Sequence, residues 1–275
     1  MDTRTLVKRV SKATDVVFAR ATGVTVLIYH RIGGGSDSQV DLPLADFDRH
    51  LAHLAEHYTV VTLDQAITAL AAIPVAAPDA GHQARPEVVI TFDDGTADFA
   101  DHAVPALVRH GLPATLYVAT RFVDEQTEFP WGAPPATWDG LRGAVGTGLI
   151  TIGSHTHAHW LLDRLEGAAI ADDLDRSIDL IGANIGHAPT HFAYPKALPG
   201  SPEAEIAVRR RFASAALAFS RVNRPGHTDV HRISRTPVQR GDGFEFFAAK
   251  AGGGLRLEGE LRALVARVKY RGATR

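Results

Sequence analysis

The chain has 275 residues, of which 45% are hydrophobic and 22% are charged, proportions typical of a globular protein rather than a disordered, collagen-like or coiled-coil one. It contains 14 histidines and no cysteine, which excludes disulfides, thiolate metal sites, iron–sulfur clusters and a cysteine nucleophile. Its formal charge of −2 indicates neither a nucleic-acid partner nor a polybasic membrane patch. Any bound metal must therefore be held by His, Asp or Glu.

Two segments bear on cellular location. Residues 1–20 lack the apolar core of a secretory signal peptide. The longest uncharged run, residues 65–78, contains two prolines and is shorter than the ~20 apolar residues needed to cross a bilayer. We therefore expect no transmembrane segment and a cytoplasmic protein, which could still work close to a membrane.

Short apolar runs alternate with segments of helical period, a pattern typical of β/α units and a mainly parallel sheet. The runs predict strands over residues 24–29, 58–62, 87–92, 114–118, 149–153, 191–194, 215–219 and 232–238. The periodic segments predict helices over residues 44–57, 63 to before 74, 99–110, 138–145, 170–181, 203–212 and 257–270. Residues 71–85 and the remainder of 121–148 are expected to be loops. We expect one α/β domain over residues 23–275, preceded by an N-terminal extension over residues 1–22.

Ligands of parallel α/β sheets bind beyond the carboxyl ends of the strands. Five predicted strand ends carry residues suited to metal or acid–base chemistry. These are His30, the pair Asp93–Asp94, His155 with His159, Lys196 in the segment Tyr194–Lys196, and Arg235.

The Asp93–Asp94 pair places two carboxylates at one strand end, where one can bind a cation while the other moves a proton. A turn and helix cap is the simpler interpretation of the pair alone. His155 and His159 are four residues apart, a spacing that would put both imidazoles on one face of a helical turn. Two histidines and Asp94 would leave coordination positions open, as catalytic metal sites do, although loop histidines without a ligand role would show the same spacing.

These segments resemble the motifs of the polysaccharide deacetylase family, also called NodB-homology or carbohydrate esterase family 4. ITFDDG (Ile90–Gly95) and SHTHAHWLL (Ser154–Leu162) are similar to the first two motifs, and FAYPKALPG (Phe192–Gly200) resembles a weakened third. The opening VLIYHR and the block TWDGLRGAVGTGLITIGSHTH look like members found with exopolysaccharide genes. The resemblance spans roughly residues 24–238.

The resemblance implies a distorted (β/α)7-type barrel and a divalent metal, usually zinc, held by Asp94, His155 and His159. It implies that Asp93 is the general base and that the backbone N–H of Lys196 stabilises the oxyanion. The implied reaction is metal-dependent removal of the N-acetyl group from an N-acetylhexosamine in a glycan or glycan precursor.

The sequence departs from the family pattern at two places. Ala193 stands where many members have the Arg that orients the catalytic carboxylate, and Arg235 is our candidate replacement, with an exposed salt-bridging residue as the alternative. The usual C-terminal catalytic His is absent, and His30 resembles the general acid of circularly permuted members. The alternative for His30 is a core histidine bonded to a backbone carbonyl. Trp131 and Trp138 either stack on sugar rings or anchor their loop.

Two other functions fit the same residues. One is hydrolysis of another non-peptide C–N bond, such as an N-formyl group or a small amide. The other is an inactive carbohydrate-binding barrel, which the departure at Ala193 motivates. Retention of Asp93 beside the metal-binding residue types favours an enzyme, because a binding protein needs no base there.

Overall fold

Seven parallel strands form the centre of the fold in the computed structural model, which describes residues 3–15, 23–72 and 85–269. The strands of the described residues are β1 (Val24–Tyr29), β2 (Arg31–Ile32), β3 (Asp41–Leu42), β4 (Thr59–Val60), β5 (Glu87–Phe92), β6 (Ala114–Val118), β7 (Ile150–Ser154), β8 (His191–Ala193), β9 (Ser214–Ala216) and β10 (Arg235–Pro237). The main sheet runs in the order β10-β1-β5-β6-β7-β8-β9, with β4 added beside β5, while β2 and β3 form a separate pair.

The sheet closes almost completely into a barrel. The Ile233 N–H donates to the Ala215 carbonyl at 2.9 Å and the Leu217 N–H donates to the Ile233 carbonyl at 2.8 Å, which joins β9 to the segment before β10. The distorted (β/α)7-type barrel implied by the resemblance is confirmed. All six residues of β1 are buried, as expected for a parallel strand covered on both faces.

Helices surround the strands. They are α1 (Thr3–Asp15), α2 (Leu44–His57), α3 (Leu63–Ala71), α4 (Val104–His110), α5 (Thr120–Glu125), α6 (Trp138–Gly146), α7 (Ala168–Ile185), α8 (Pro202–Arg211), α9 (Gly243–Ala251) and α10 (Arg256–Lys269). A π-helical turn, Phe99–Ala103, leads into α4. Leu63 and Leu70 of α3 pack with Val24 and Val26 of β1, whereas Phe47 of α2 packs in the larger core cluster.

Most predicted elements are present with shifted ends, and three helices were not predicted. The helix over residues 44–57 and the strands over residues 24–29, 87–92 and 114–118 have the expected bounds. The unpredicted helices are α1, α5 and α9. The predicted loop over residues 71–85 lies mostly outside the described residues, as does Tyr270 at the end of the predicted last helix.

The predicted N-terminal extension contains α1, which is tied to the last part of the chain. Lys8 Nζ lies 2.7 Å from Asp242 Oδ1, and the Glu258 N–H donates to Ser11 Oγ at 3.2 Å. The proposed boundary at residue 22 lies outside the described residues and stays a prediction. Within the described ranges, no helix is long and apolar enough to cross a membrane.

Candidate active site and metal centre

The predicted site residues gather at one end of the barrel, around a cavity of about 340 Å³. Six of the seven line this cavity, namely His30, Asp93, Asp94, His155, His159 and Lys196. They follow the carboxyl ends of β1, β5, β7 and β8, so the expectation from parallel-sheet geometry holds for these four strands. The seventh residue, Arg235, is instead the first residue of β10. Its side chain donates a hydrogen bond to Asp93, which lines the cavity.

Asp94, His155 and His159 are brought together in a group that can hold a metal ion, with one donor atom from each within 4.8 Å of the others. Asp94 Oδ1 lies 3.3 Å from His159 Nε2 and 3.7 Å from His155 Nε2. A carboxylate and two imidazoles are common ligands of zinc and related divalent ions. The donor set fits such an ion and, with three protein ligands, leaves positions open.

His155 is fixed in the orientation that a ligand needs. Its Nδ1 donates to the Ala193 carbonyl at 2.7 Å, which turns Nε2 towards Asp94. Burial is the main cause that lowers the pKa of His155 to about 4, so the ring is neutral at physiological pH. A backbone carbonyl on the far ring nitrogen is a usual way to orient a metal-binding histidine. Ala193, where the family pattern has Arg, therefore serves His155 through its backbone.

Asp94 is held ionised despite its burial. Burial alone would raise the pKa of Asp94, but the hydrogen bond with His159, the largest opposing cause, keeps it well below its usual range. The residue has a φ of 78°, in the left-handed region that non-glycine residues rarely occupy. Thr156, His159, Lys196 and Ala197 share this property, with φ between 54° and 69°. Such strain, about 1–3 kcal/mol for each residue, is typical of functional sites.

The segment that carries the two histidines is a loop, so the predicted helical turn is wrong. Residues 155–161 follow β7 without a helix, and Thr156 and His159 have φ of 69° and 59°. Side chains replace the missing helical bonds: Thr156 Oγ1 accepts from the His159 N–H at 2.9 Å. Asp173 of α7 accepts from the N–H groups of His157 and Ala158 at 3.0 and 2.9 Å.

Asp93 and Arg235 form a buried two-point ion pair beside the metal-binding group. Arg235 Nη1 lies 2.6 Å from Asp93 Oδ1 and Nη2 lies 2.9 Å from Oδ2. Arg235 is 0% exposed, which excludes the exposed salt-bridging alternative. Burial would raise the pKa of Asp93, but the Arg235 charge lowers it below the ordinary value. The guanidinium thus contacts the carboxylate that the hypothesis assigned to it, from a different strand, and its role in a reaction stays a prediction.

His30 follows the last residue of β1 and lines the cavity. Its Nδ1 is buried and has no hydrogen-bond partner among the described residues. The alternative of a core histidine bonded to a backbone carbonyl is therefore not what the geometry shows for Nδ1. The next residue, Arg31, is buried and donates from Nε to Asp98 Oδ2 at 2.9 Å. That bond ties the segment after β1 to the segment after β5.

Lys196 and Trp131 meet at the cavity wall. Lys196 lies in the short turn Pro195–Ala197, and its Nζ is 4.6 Å from the centre of the Trp131 ring. Trp131 is 38% exposed and stacks on Phe129, with ring centres 5.0 Å apart. Trp138 instead belongs to α6 and donates to Asp124 at 3.4 Å. Trp131 is thus available to a ligand, and Trp138 anchors the long segment.

Two supporting residues escaped the sequence reasoning. Asp173 lies on the buried face of α7, three residues after Ile170. A carboxylate within an apolar helical stripe is unusual, and this is the sequence feature that indicates a structural role for it. Tyr117 of β6 packs against Arg235, with its ring centre 5.1 Å from the guanidinium carbon. Its strand position looks like that of any apolar residue, so the sequence contains no signal for it.

Comparisons with known proteins give a family match and several similar folds. The family model described as polysaccharide deacetylase matches residues 80–207. The structure of IcaB from Ammonifex degensii is similar at 25% sequence identity, with a TM-score of 0.71, over 84% of this chain and 98% of that one. No curated protein matches the chain by sequence.

Two further solved structures are similar in fold. The deacetylase PplD of Streptococcus pyogenes, in complex with acetate, has 18% identity and a TM-score of 0.70 over 84% of this chain and 98% of that one. A de-N-acetylase from Aggregatibacter actinomycetemcomitans has 20% identity and a TM-score of 0.64 over 82% of this chain and 99% of that one.

Proposed function

Because this chain belongs to the polysaccharide deacetylase family, we propose that it is a metal-dependent hydrolase that removes the N-acetyl group from an N-acetylhexosamine in a glycan or glycan precursor. One observation carries the proposal most strongly. A buried, ionised carboxylate held by Arg235 lies next to an Asp–His–His group in a single cavity. That arrangement separates a metal-binding function from a proton-transfer function at adjacent residues.

Asp94, His155 and His159 would hold the metal, most simply Zn²⁺. A divalent ion at this position supplies Lewis-acid polarisation of the acyl carbonyl and makes water more acidic. The three residues are pre-arranged for this task, because His155 is oriented by the Ala193 carbonyl and the His159 loop is anchored by Asp173.

Asp93 would act as the general base for the attacking water. Its two oxygens each accept from Arg235, so the carboxylate stays ionised and keeps one orientation. Each oxygen retains a free lone pair with which it can take a proton. Arg235 is a positioning residue in this scheme, since it touches Asp93 rather than the substrate.

His30 and Lys196, which both line the cavity, would complete the reaction. His30 would protonate the departing sugar amine, because it lines the cavity and an imidazole can donate a proton near neutral pH. The backbone N–H of Lys196, in a turn with φ of 54°, would stabilise the charge that develops on the acyl oxygen. The exposed face of Trp131 offers the sugar ring an aromatic surface.

An assay of acetate release tests the proposal. Zinc-loaded protein is incubated with N-acetylglucosamine oligomers and with lipid- or nucleotide-linked N-acetylhexosamines, and Asp93→Asn is compared with the surface control Asp101→Asn. We expect acetate from the wild type and the control, with a loss of about 10²–10⁴-fold in Asp93→Asn. Release of formate or ring opening of a cyclic amide, without acetate, would assign another C–N bond. Sugar binding with no product would indicate an inactive binding barrel.

A further inference from the structure

The two terminal helices, α1 and α10, contact each other and carry a large share of the exposed large hydrophobic residues. Nine large hydrophobic residues are exposed in the described part of the chain, and five of them belong to these two helices. They are Leu6, Val10, Leu257, Leu261 and Val265, with 40–62% of each residue exposed. Neither helix contributes a residue to the candidate catalytic cavity.

These apolar residues follow the helical repeat. Leu6 and Val10 are four residues apart on α1, and Leu257, Leu261 and Val265 are each four apart on α10, so each set forms a stripe along one helix face. The opposite face of α1 binds the protein through Lys8 and Ser11. The fold therefore buries one face of α1 and leaves Leu6 and Val10 on the apolar face about half exposed.

The same helices concentrate positive charge in a chain that is slightly acidic overall. Their sequences hold eight basic and three acidic residues, a formal charge of +5, against −2 for the whole chain and hence −7 for the remainder. Among the side chains that the structure describes in these helices, Lys8 and Glu258 are buried, and because they have opposite signs the formal balance of the other charges stays at +5. The net charge of the chain conceals this separation.

We propose that the apolar stripes of α1 and α10, the terminal-helix face, dock onto the surface of an anionic phospholipid bilayer. Apolar side chains among basic ones are the combination by which interfacial helices insert their apolar face below the headgroups and attract acidic lipids. A second copy of the chain would cover the apolar residues but would bring +5 against +5. An anionic membrane satisfies both features.

The side of α10 opposite its apolar stripe contacts a segment that borders the catalytic cavity. Gly259 of α10 packs so closely on the segment Phe219–Ser220 that a Cβ there would come within 2.3 Å of the Ser220 Cβ. Phe219 is one of the residues that line the catalytic cavity. The docking proposal stands independently of the proposed hydrolysis, because it uses none of its residues.

Vesicle co-sedimentation of the full chain tests the proposal. The vesicles are phosphatidylcholine alone or with about 25% phosphatidylglycerol. The variants are Leu261→Gln with Val265→Gln, Leu6→Gln with Val10→Gln, and the control Ile206→Gln, which removes a residue 52% exposed on α8. We expect binding to the anionic vesicles only, weakened at about 1 M salt, where the Debye length is about 3 Å. Each double variant should lower the partition coefficient about ten-fold or more, and the control should match the wild type.

Three results would overturn the proposal. The first is equal binding to neutral and anionic vesicles, or to neither. The second is a dimer that forms without lipid and is lost in the same double variants, as measured by sedimentation velocity. The third is binding to polyglutamate that is as tight as binding to the anionic vesicles and is unchanged in the double variants. That result would assign the face to an acidic macromolecule. Circular dichroism confirms that the variants fold, and acetate release from a soluble substrate, unchanged in them, separates this outcome from failure of the proposed hydrolysis.

Discussion

Replacement of Arg235 by Met should damage stability and turnover together. Arg235 is 0% and Asp93 4% exposed, and two hydrogen bonds of 2.6 and 2.9 Å join them. Arg235→Met leaves the Asp93 carboxylate buried without its counter-charge. Loss of one partner of a buried ion pair costs about 3–5 kcal/mol, a large part of the about 5–15 kcal/mol that keeps a domain folded. Asp93 can reduce this cost by taking up a proton, but it then ceases to be a base.

The matched control is Arg232→Met, because Arg232 pairs with Glu205 where both side chains are partly exposed. Such a surface pair contributes about 0–1 kcal/mol. Urea unfolding should therefore show a loss at least about 2 kcal/mol larger for Arg235→Met than for the control. Adding Asp93→Asn to Arg235→Met removes both charges and should restore part of the stability without restoring acetate release. If Arg235→Met unfolds within about 0.5 kcal/mol of the wild type and keeps its turnover, the buried pair is not what holds the base.

Three other outcomes follow from the contacts. Burial lowers the pKa of His50 to about 3 in the folded protein. Below about pH 6.5 this imidazole therefore takes up a proton in the unfolded chain but stays neutral in the folded one. Stability should fall by about 1.4 kcal/mol per pH unit from that residue as pH drops from about 6 to 4. In urea unfolding at several pH values, the free energy of unfolding of His50→Gln should fall less steeply with decreasing pH than that of the wild type. Equal dependence on pH in the two proteins would contradict this. Zinc in excess should raise the thermal midpoint of the wild type, and the rise should be absent in His155→Ala. Asp173→Asn should weaken zinc affinity about 10–100-fold in a titration, whereas the exposed control Asp172→Asn should not; equal affinities would remove the anchoring role.

The alternation of apolar runs and periodic segments predicted the barrel strands because parallel strands buried on both faces keep a continuous apolar signature. Two of the helices that escaped prediction have weak sequence signatures. The helix α9 begins at Gly243 and is rich in Phe, and α5 has only six residues. The helix α1 is mostly polar and is held by contacts with residues more than 200 positions away, which no local pattern records.

The positions of site residues that directly follow a strand were predictable from the sequence. The positions of residues that depend on the backbone conformation of a loop were not. His155 and Asp94 meet because each follows a strand of the same parallel sheet. The loop between His155 and His159 depends on positive φ at Thr156 and on Asp173, so its shape is a tertiary effect rather than a local one. The Arg235 pairing joins residues 142 positions apart, and sequence reasoning could offer it only as one of two options.

The central claim is that two adjacent carboxylates have different roles, with metal binding by Asp94 and proton transfer by Asp93. One preparation of Asp93→Asn tests it. Zinc content and acetate release are measured on the same sample and compared with wild type and with Asp94→Asn. If Asp94 holds the metal and Asp93 moves the proton, Asp93→Asn keeps one zinc per chain and loses acetate release by about 10²–10⁴-fold, whereas Asp94→Asn loses both. An Asp93→Asn protein that releases acetate at the wild-type rate, or that no longer binds zinc, would contradict the account.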